Sequence, residues 1–452
     1  MQAVSVRALN RGLLAVARNG GAQRRCLAAG PLEKTAYFDM HVDMKGKMVP
    51  FAGYELPVLY ETEKGGVMNE TLHTRAPGMA SIFDVGHMGQ IKWTGKDATD
   101  FLEKCLVGDI KGLKDGEGRL TLITNPKGGI IDDTVVTNAG SYIYMVVNGA
   151  CKHGDMKHFK EQMDEFKGDV NMDYLETQQL LALQGKGAAV ALQTMMPAGV
   201  DVTTMPFMTG VDTPIAGIEG CRVTRCGYTG EDGYELSVPF ESAVPLAESL
   251  LKIESVAMAG LGARDALRLE AGLCLYGNDI DEGTNPIEAA LGWTMGGPKA
   301  RRRNEQGFLG AEHFLNKDGK LKKQTRKRVG ITGMKAPARD GAEILDAEGT
   351  TAIGKITSGT FSPCLKKPVA MGYVDIAHSK NATPVMLKIR NKLVPSEVTA
   401  MPFLETGVSR AWRLGNGLQE DFAFFVSEET FATILGLSCL IIVLSPDLPR
   451  RW

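Results

Sequence analysis

Two adjacent carboxylates, Asp132 and Asp133, interrupt an apolar run, GGIIDDTVVTNAGSYIYMVVN, between Gly128 and Asn148. The run reads as two β-strands rich in Ile, Val and Tyr, joined through Asn138, Ala139 and Gly140. Successive side chains of a strand point to opposite faces, so one carboxylate turns to solvent and the other into whatever the sheet covers. An ionised carboxylate placed there needs a cation or hydrogen-bond donors to meet it. From this window alone the pair reads equally well as two surface acids at a strand end.

Three further stretches carry residue types capable of chemistry. A second hairpin, CRVTRCGYTGEDGYELSV from Cys221 to Val238, gathers Glu231, Asp232 and Glu235 beside Tyr228 and Tyr234 around a turn marked by Gly230 and Asp232-Gly233. A helix beginning at Gly262 sets Arg264 and Arg268 four residues apart on one face, where pairing with Asp265 or Glu270 would be their ordinary use. Ser81 to Gly89 reads as a buried strand ending in a Gly-flanked turn with His87 and Met88, and a lone His in such a place is more often structural than catalytic. The eight Cys contain no CxxC pair, which argues against a zinc site and for inert thiols in a reducing compartment. Neither GxGxxG after a strand nor GxxxxGK[ST] occurs, so a dinucleotide fold and a P-loop are unsupported.

The elements that must position these groups fall along 452 residues, enough for two or three domains. Hydrophobic content of 44% and charged content of 23% are those of a globular protein, and a net charge of −2 argues against a general nucleic-acid binder. Residues 1–30 hold Arg7, Arg11, Arg18, Arg24 and Arg25 and no acid, the pattern of an amphipathic mitochondrial import presequence. Residues 37–60 mix apolar runs with Gly and Pro, which predicts irregular structure around a binding surface. Asp97 is a candidate N-cap for a helix over 97–106, and Met156, Phe159 and Met163 mark a core-facing stripe of a helix over 153–166. Residues 31–296 form the main region; 297–328, with Arg301, Arg302 and Arg303 and a later Lys/Arg cluster, read as an exposed basic connector. Short strands with Gly and Pro turns over 329–404 predict a small β-barrel or sandwich. Residues 405–452 read as an atypical tail; their apolar run, 431–444, is shorter than the roughly 20 residues of a membrane span, so stable insertion is not expected, and a buried helix, a marginal membrane contact and an aberrant or disordered C-terminus stay open.

The motifs KMVPFAGYELPV (47–58), FDVGHMG (83–89), GGIIDDTVV (128–136), RCGYTGEDGYEL (225–236), the long run 260–293, ITSGTFSPCLKK (356–367) and MPF (401–403) together resemble the aminomethyltransferase, or T-protein, family of the glycine cleavage system. The resemblance implies an α+β, three-domain fold with a C-terminal β-barrel around a tetrahydrofolate pocket. It implies transfer of a one-carbon unit from the aminomethyl-lipoyl arm of H-protein to tetrahydrofolate, giving methylenetetrahydrofolate and ammonia in the mitochondrial matrix. It places the key carboxylate on Asp133 and binding contacts on Tyr228, Glu235, Arg264, Asn148 and Met88. A carboxylate such as Glu235 accepts the two adjacent N–H donors of a pterin, and Arg264 suits a folate carboxylate. H-protein is expected as a transient partner, with the other glycine cleavage subunits held loosely and Arg301–Arg303 as a candidate contact. Two departures stand out: Gly86 occupies a usual Ser position, and the chain lacks the Tyr-containing segment that commonly follows MPF. Rival readings are a flavin-fused relative, a non-catalytic folate-binding relative and a membrane-tethered variant.

Overall fold

The structure, a computed structural model, describes residues 31–405 and 407. The presequence and the apolar run at 431–444 lie outside the described residues, and no described helix is long and apolar enough to cross a membrane.

Two mainly antiparallel sheets share the chain between them. The six-stranded one runs Thr209–Asp212, Arg222–Arg225, Gly233–Pro239, Gln178–Gln184, Ala80–Asp84, Val256–Met258, with only the last pair parallel. The five-stranded one runs Gly118–Thr124, Ile130–Asn138, Ile143–Val147, Gly89–Thr94, Asn171–Tyr174. Ala80–Asp84 belongs to the first sheet and Gly89–Thr94 to the second. The intervening Val85 to Met88 is therefore where the chain changes sheets, and Gly89 just after it packs directly against Val147 and Lys152.

The five-stranded sheet is apolar on both sides. One face buries Ile91, Trp93, Val136, Met145 and Val147 against Phe101, Leu102 and Phe159 from the helices Ala98–Cys105 and Lys152–Phe166. On the other, Tyr144 and Val146 meet Phe83, Leu180 and Ala182 of the six-stranded sheet together with Ala263 and Leu267 of the helix Leu261–Glu270. Burying side chains like these stabilises by roughly 1.5–3 kcal/mol each. A sheet covered twice has no solvent face, which decides the fate of the paired aspartates.

The closed barrel follows the order Arg326–Thr332, Lys367–Asp375, Ala352–Ser362, Glu343–Leu345, Pro384–Ile389, Lys392–Thr399 and returns to its start. Its apolar interior centres on Ile331, Ile344, Ile356 and Leu387. The α+β fold and the barrel agree with the sequence reading, with the first barrel strand starting at Arg326 instead of 329.

Three local expectations change. Residues 37–60 are regular: the helix Phe38–Asp43 and an antiparallel hairpin, Gly46–Phe51 with Tyr54–Tyr60, whose turn residues Ala52 and Gly53 both have positive φ. That geometry lets a two-residue turn follow the strand twist, so the Gly seen in sequence marks a tight turn and not a loop. Asp97 does stand at the N-cap position, but its carboxylate accepts from Asp169 N (2.9 Å) and makes no bond to its own helix. The arginine run turns inward. Arg302 and Arg303 are buried, and Arg301 pairs with Glu103, Asp109 and Glu305. The short helices Arg301–Glu305 and Ala311–Phe314 pack with the apolar cluster around Phe308 and Phe314, so this connector is part of the body.

Candidate active site

Asp132 and Asp133 diverge as neighbouring strand residues must, but neither reaches the outer surface. Asp132 shares a face with Val136, toward the helix Lys152–Phe166, and is fully buried. Asp133 points the other way, between the sheets. The expectation of one solvent-facing acid fails because both faces of the strand are covered.

The strand is held by close approach at its start. Gly128 has φ +80°, and a Cβ on Gly129 would collide with the Glu282 carbonyl. Only glycine tolerates both conditions. Ile130 N donates to Thr284 O (3.0 Å), continuing the contact.

Asn148 ends the partner strand and ties the acids together. Its backbone N–H and Nδ2 donate to Asp132 (2.9 and 2.8 Å), and the same Nδ2 lies 3.0 Å from Asp133 Oδ1. Burial raises the pKa of Asp133 well above the usual carboxylate range; the Asp132 charge adds to the shift, while Asn148 and Arg264 oppose it. The next residue, Gly149, leaves no room for a side chain because His87 packs on it. His87 is pushed down to about 4 by burial and its Nδ1 has no partner, so at neutral pH it is an uncharged buttress, in keeping with a structural His.

The remaining site residues arrive from the other sheet and its helix. Glu235 lies on Gly233–Pro239, paired in register with Thr224 and Ala182. Burial raises its pKa, opposed by the Arg264 charge and a hydrogen bond from the Cys226 thiol. Arg264 stacks over the Tyr228 ring at 4.6 Å, and its Nη1 has no hydrogen-bond partner among the described residues. Its charge lies within reach of Glu235 and Asp133. Neither Asp265 nor Glu270 takes it: Asp265 binds Arg268, and Glu270 binds Arg75. The Tyr228 hydroxyl donates to the Cys274 carbonyl, which fixes the ring under Arg264. Asp133, Asn148, Tyr228, Glu235, Arg264 and Met88 are each half-buried, and the charges of Asp133, Glu235 and Arg264 and the Tyr228 ring act on one another across the space between the sheets.

Gly86 has a local explanation. A Cβ there would meet Gln179 Oε1 and Asp84 Oδ1, and Gln179 Oε1 in turn accepts from Ala36 N (3.2 Å). The Gln179 amide thus fills the volume that a larger residue 86 would claim. Asp84 also takes Thr35 Oγ1 (2.6 Å) and His41 (3.0 Å), with Tyr60 on the far side of the His41 ring (2.9 Å). This buried network fastens the first helix and hairpin to the crossing motif.

Two sets of contacts were not foreseen from sequence. Arg75 donates to Glu231 (2.9 Å) and Glu270 (2.8 Å), while Ser362 of the barrel donates to Glu270 (2.5 Å). Arg268 binds Asp279 (2.7 Å) and Ser358 (2.9 Å). These partners lie far apart in sequence, and no spacing rule joins them. The second set is Cys151 and Asp155, behind Asp132. Their four-residue separation on a helix was the available signal.

An α+β body of two interleaved sheets and a closed six-stranded barrel define a two-part architecture that known proteins share. The family described as GCVT N-terminal domain matches residues 37–299, and the glycine cleavage T-protein C-terminal barrel domain matches 326–405. The mitochondrial aminomethyltransferase of Dictyostelium discoideum is 46% identical over 85% of this chain and 95% of its own length. That of Gallus gallus is 46% identical over 85% and 96%. The crystal structure of glycine cleavage system aminomethyltransferase T from Bartonella henselae is 38% identical and superposes with a TM-score of 0.75 over 83% of this chain and 99% of that one. The chain belongs to the aminomethyltransferase family, the T-proteins of the glycine cleavage system.

Proposed function

We propose that the inter-sheet cavity is where this chain hands a one-carbon unit from aminomethyl-lipoyl H-protein to tetrahydrofolate, with Asp133 as the catalytic carboxylate. The chain is an aminomethyltransferase of glycine cleavage. The observation that supports this reading is the grouping of residues from separate elements: Asn148 bonds Asp133, Arg264 stacks on Tyr228, and the Arg264 charge acts on both Asp133 and Glu235.

The residues present fit a reduced pterin. Glu235 is a carboxylate whose protein donor is a thiol, so it retains capacity for adjacent N–H groups of a ligand. Arg264 keeps a buried, unpartnered N–H, and the open face or edge of Tyr228 offers a stacking surface. Arg264 is matched to Asp133 and Glu235 inside the cavity. This supports reading it as their charge partner, in place of a receiver for the folate glutamate tail. Tetrahydrofolate, when bound, supplies the nitrogen that takes up the one-carbon unit. Asp133 orients that nitrogen, accepts its proton and stabilises positive charge developing on the transferred carbon. Its raised pKa brings it toward the range in which a base works at neutral pH. Asn148 fixes the carboxylate's direction, and the covered sheets keep bulk water from the reaction.

H-protein is the delivery partner in this reading, bound transiently enough for its arm to visit other subunits. The inward pairing of Arg301–Arg303 removes that run as its main docking patch. The mitochondrial matrix is the proposed location, in keeping with the basic N-terminal stretch and the mitochondrial relatives; no nucleic acid is involved.

The assay follows methylenetetrahydrofolate and ammonia formed from aminomethylated H-protein and tetrahydrofolate. The wild-type chain turns over, and Asp133→Asn folds but loses a factor of about 10²–10⁴ in rate, the usual contribution of a general base. A near-normal rate for the Asn variant would remove Asp133 from the mechanism.

A further inference from the structure

Asp155 stands in the first turn of the helix Lys152–Phe166 with no exposed surface. Among the described residues, no N–H or O–H donor reaches either of its carboxyl oxygens. The groups facing it are the carboxyl of Asp132, then Asp133, with the Cys151 thiol at the helix start and the Tyr276 hydroxyl beside them. No cation stands among them. Asp132 is the opposite case, since it accepts from Asn148 N, Asn148 Nδ2 and the Cys151 thiol.

Two buried carboxyls in contact, with no cation between them, do not both ionise, because each charge destabilises the other. The donors decide which one holds the shared proton. Asp132, supplied with N–H groups, keeps the negative charge; Asp155, supplied with none, stays a neutral acid. We propose that Asp155 is a positioning residue whose O–H donates to Asp132 and so holds that carboxylate where it orients Asn148 against Asp133. A single amide nitrogen spans the two acids, 2.8 Å from Asp132 Oδ1 and 3.0 Å from Asp133 Oδ1, so displacement of Asp132 is passed directly to Asp133. The neutral state of Asp155 also leaves one negative charge, not two, behind the catalytic carboxylate. This inference rests on the role of Asp133 given above.

Two substitutions separate the donor from the side-chain volume. Asp155→Asn replaces the O–H by an N–H, and Asp155→Ala replaces it by nothing. The Asn variant retains kcat close to wild type and leaves the acid limb of kcat/KM where it was. The Ala variant loses about tenfold or more in kcat, the scale for residues that act through an outer shell. Its acid limb moves to lower pH, because Asp132 without that donor protonates more readily and Asp133 then loses a neighbouring charge. Infrared difference spectra of wild type against Asp155→Asn, at neutral pH and without substrates, show a protonated carboxyl C=O stretch that the variant lacks. The proposal is overturned by absence of that band, by an Asn variant as impaired as a badly impaired Ala variant, or by an Ala variant with wild-type rate and pH limb. If the Ala variant does not fold, the Asn variant and the infrared band decide. Full activity of Asp133→Asn would remove both the role of Asp133 and the positioning role, whereas the band reports on the Asp132–Asp155 pair independently.

Discussion

Asp133 is a residue whose chemistry opposes the stability of the fold that holds it. Its folded-state pKa lies above that of an unfolded Asp, near 3.9. Between that value and neutrality the native state therefore binds more protons than the unfolded chain, and stability falls as pH rises through this window. The expected outcome is that Asp133→Asn, which carries no charge, unfolds at a higher temperature than wild type at pH 8, with the difference shrinking toward pH 5. Thermal scans at the two pH values check this. A variant less stable than wild type at pH 8 would mean that the carboxylate is better compensated than its surroundings indicate. The same titration predicts that kcat/KM falls on the acid side as Asp133 takes up its proton.

Among the elements, the strand Ile130–Asn138 matters most, because it presents one acid to the cavity and the other to the helix behind it. Its position depends on Gly129, where an added Cβ would run into the Glu282 carbonyl. Gly129→Ala must push the strand away from the 282–284 segment, at a cost of roughly 1–3 kcal/mol for overpacking. Turnover is expected to fall with stability, even though residue 129 is not placed on the cavity wall. Measuring kcat at a temperature where the variant is still fully folded separates the two effects; an unchanged kcat there would show that the strand absorbs the shift. The helix Leu261–Glu270 is the second such element. Arg264 serves the cavity, while Arg268 and Glu270 serve the barrel through Ser358 and Ser362. Glu270→Ala leaves Arg75 buried with Glu231 as its remaining acid and removes the Ser362 acceptor. Breaking a buried pair in this way costs roughly 3–5 kcal/mol, which urea unfolding would register as a lower midpoint.

At the scale of the whole molecule, the barrel is fastened to the body by its last residues as well as by buried ion pairs. Phe403 N donates to Glu270 O (2.9 Å), and Met401 and Phe403 pack with Leu269, Val369 and Met371. A Cβ on Gly330 would meet Met401 Cγ at 2.8 Å and the Phe403 ring at 3.0 Å, so the glycine lets this segment lie close on the strand. A chain ending at Phe403 keeps every described strand and helix and serves as the reference for a shorter one. A chain ending at Thr399 loses two partly buried apolar side chains, worth about 2–4 kcal/mol together. Equal stability of the two truncations would show that the MPF segment does not fasten the barrel.

Much of this was legible in sequence because it depends on neighbours along the chain. Alternation in 128–148 foretold a strand hairpin that separates Asp132 from Asp133, and helical spacing foretold the elements carrying Phe159 and Arg264. Positive charge in 301–303 is equally local, but its meaning is not: Glu103 and Asp109, which cancel it, lie about two hundred residues earlier. Asp155 reads in sequence as an ordinary acid in a first helical turn, where a helix dipole favours it. Only packing against Asp132 makes it a buried acid with no donor. Local pattern fixed which residues could stand on which face, since backbone periodicity is short-ranged. Tertiary structure decided what each face meets, and with it every charge, proton and cavity wall, because desolvation and Coulomb energies depend on distance in space.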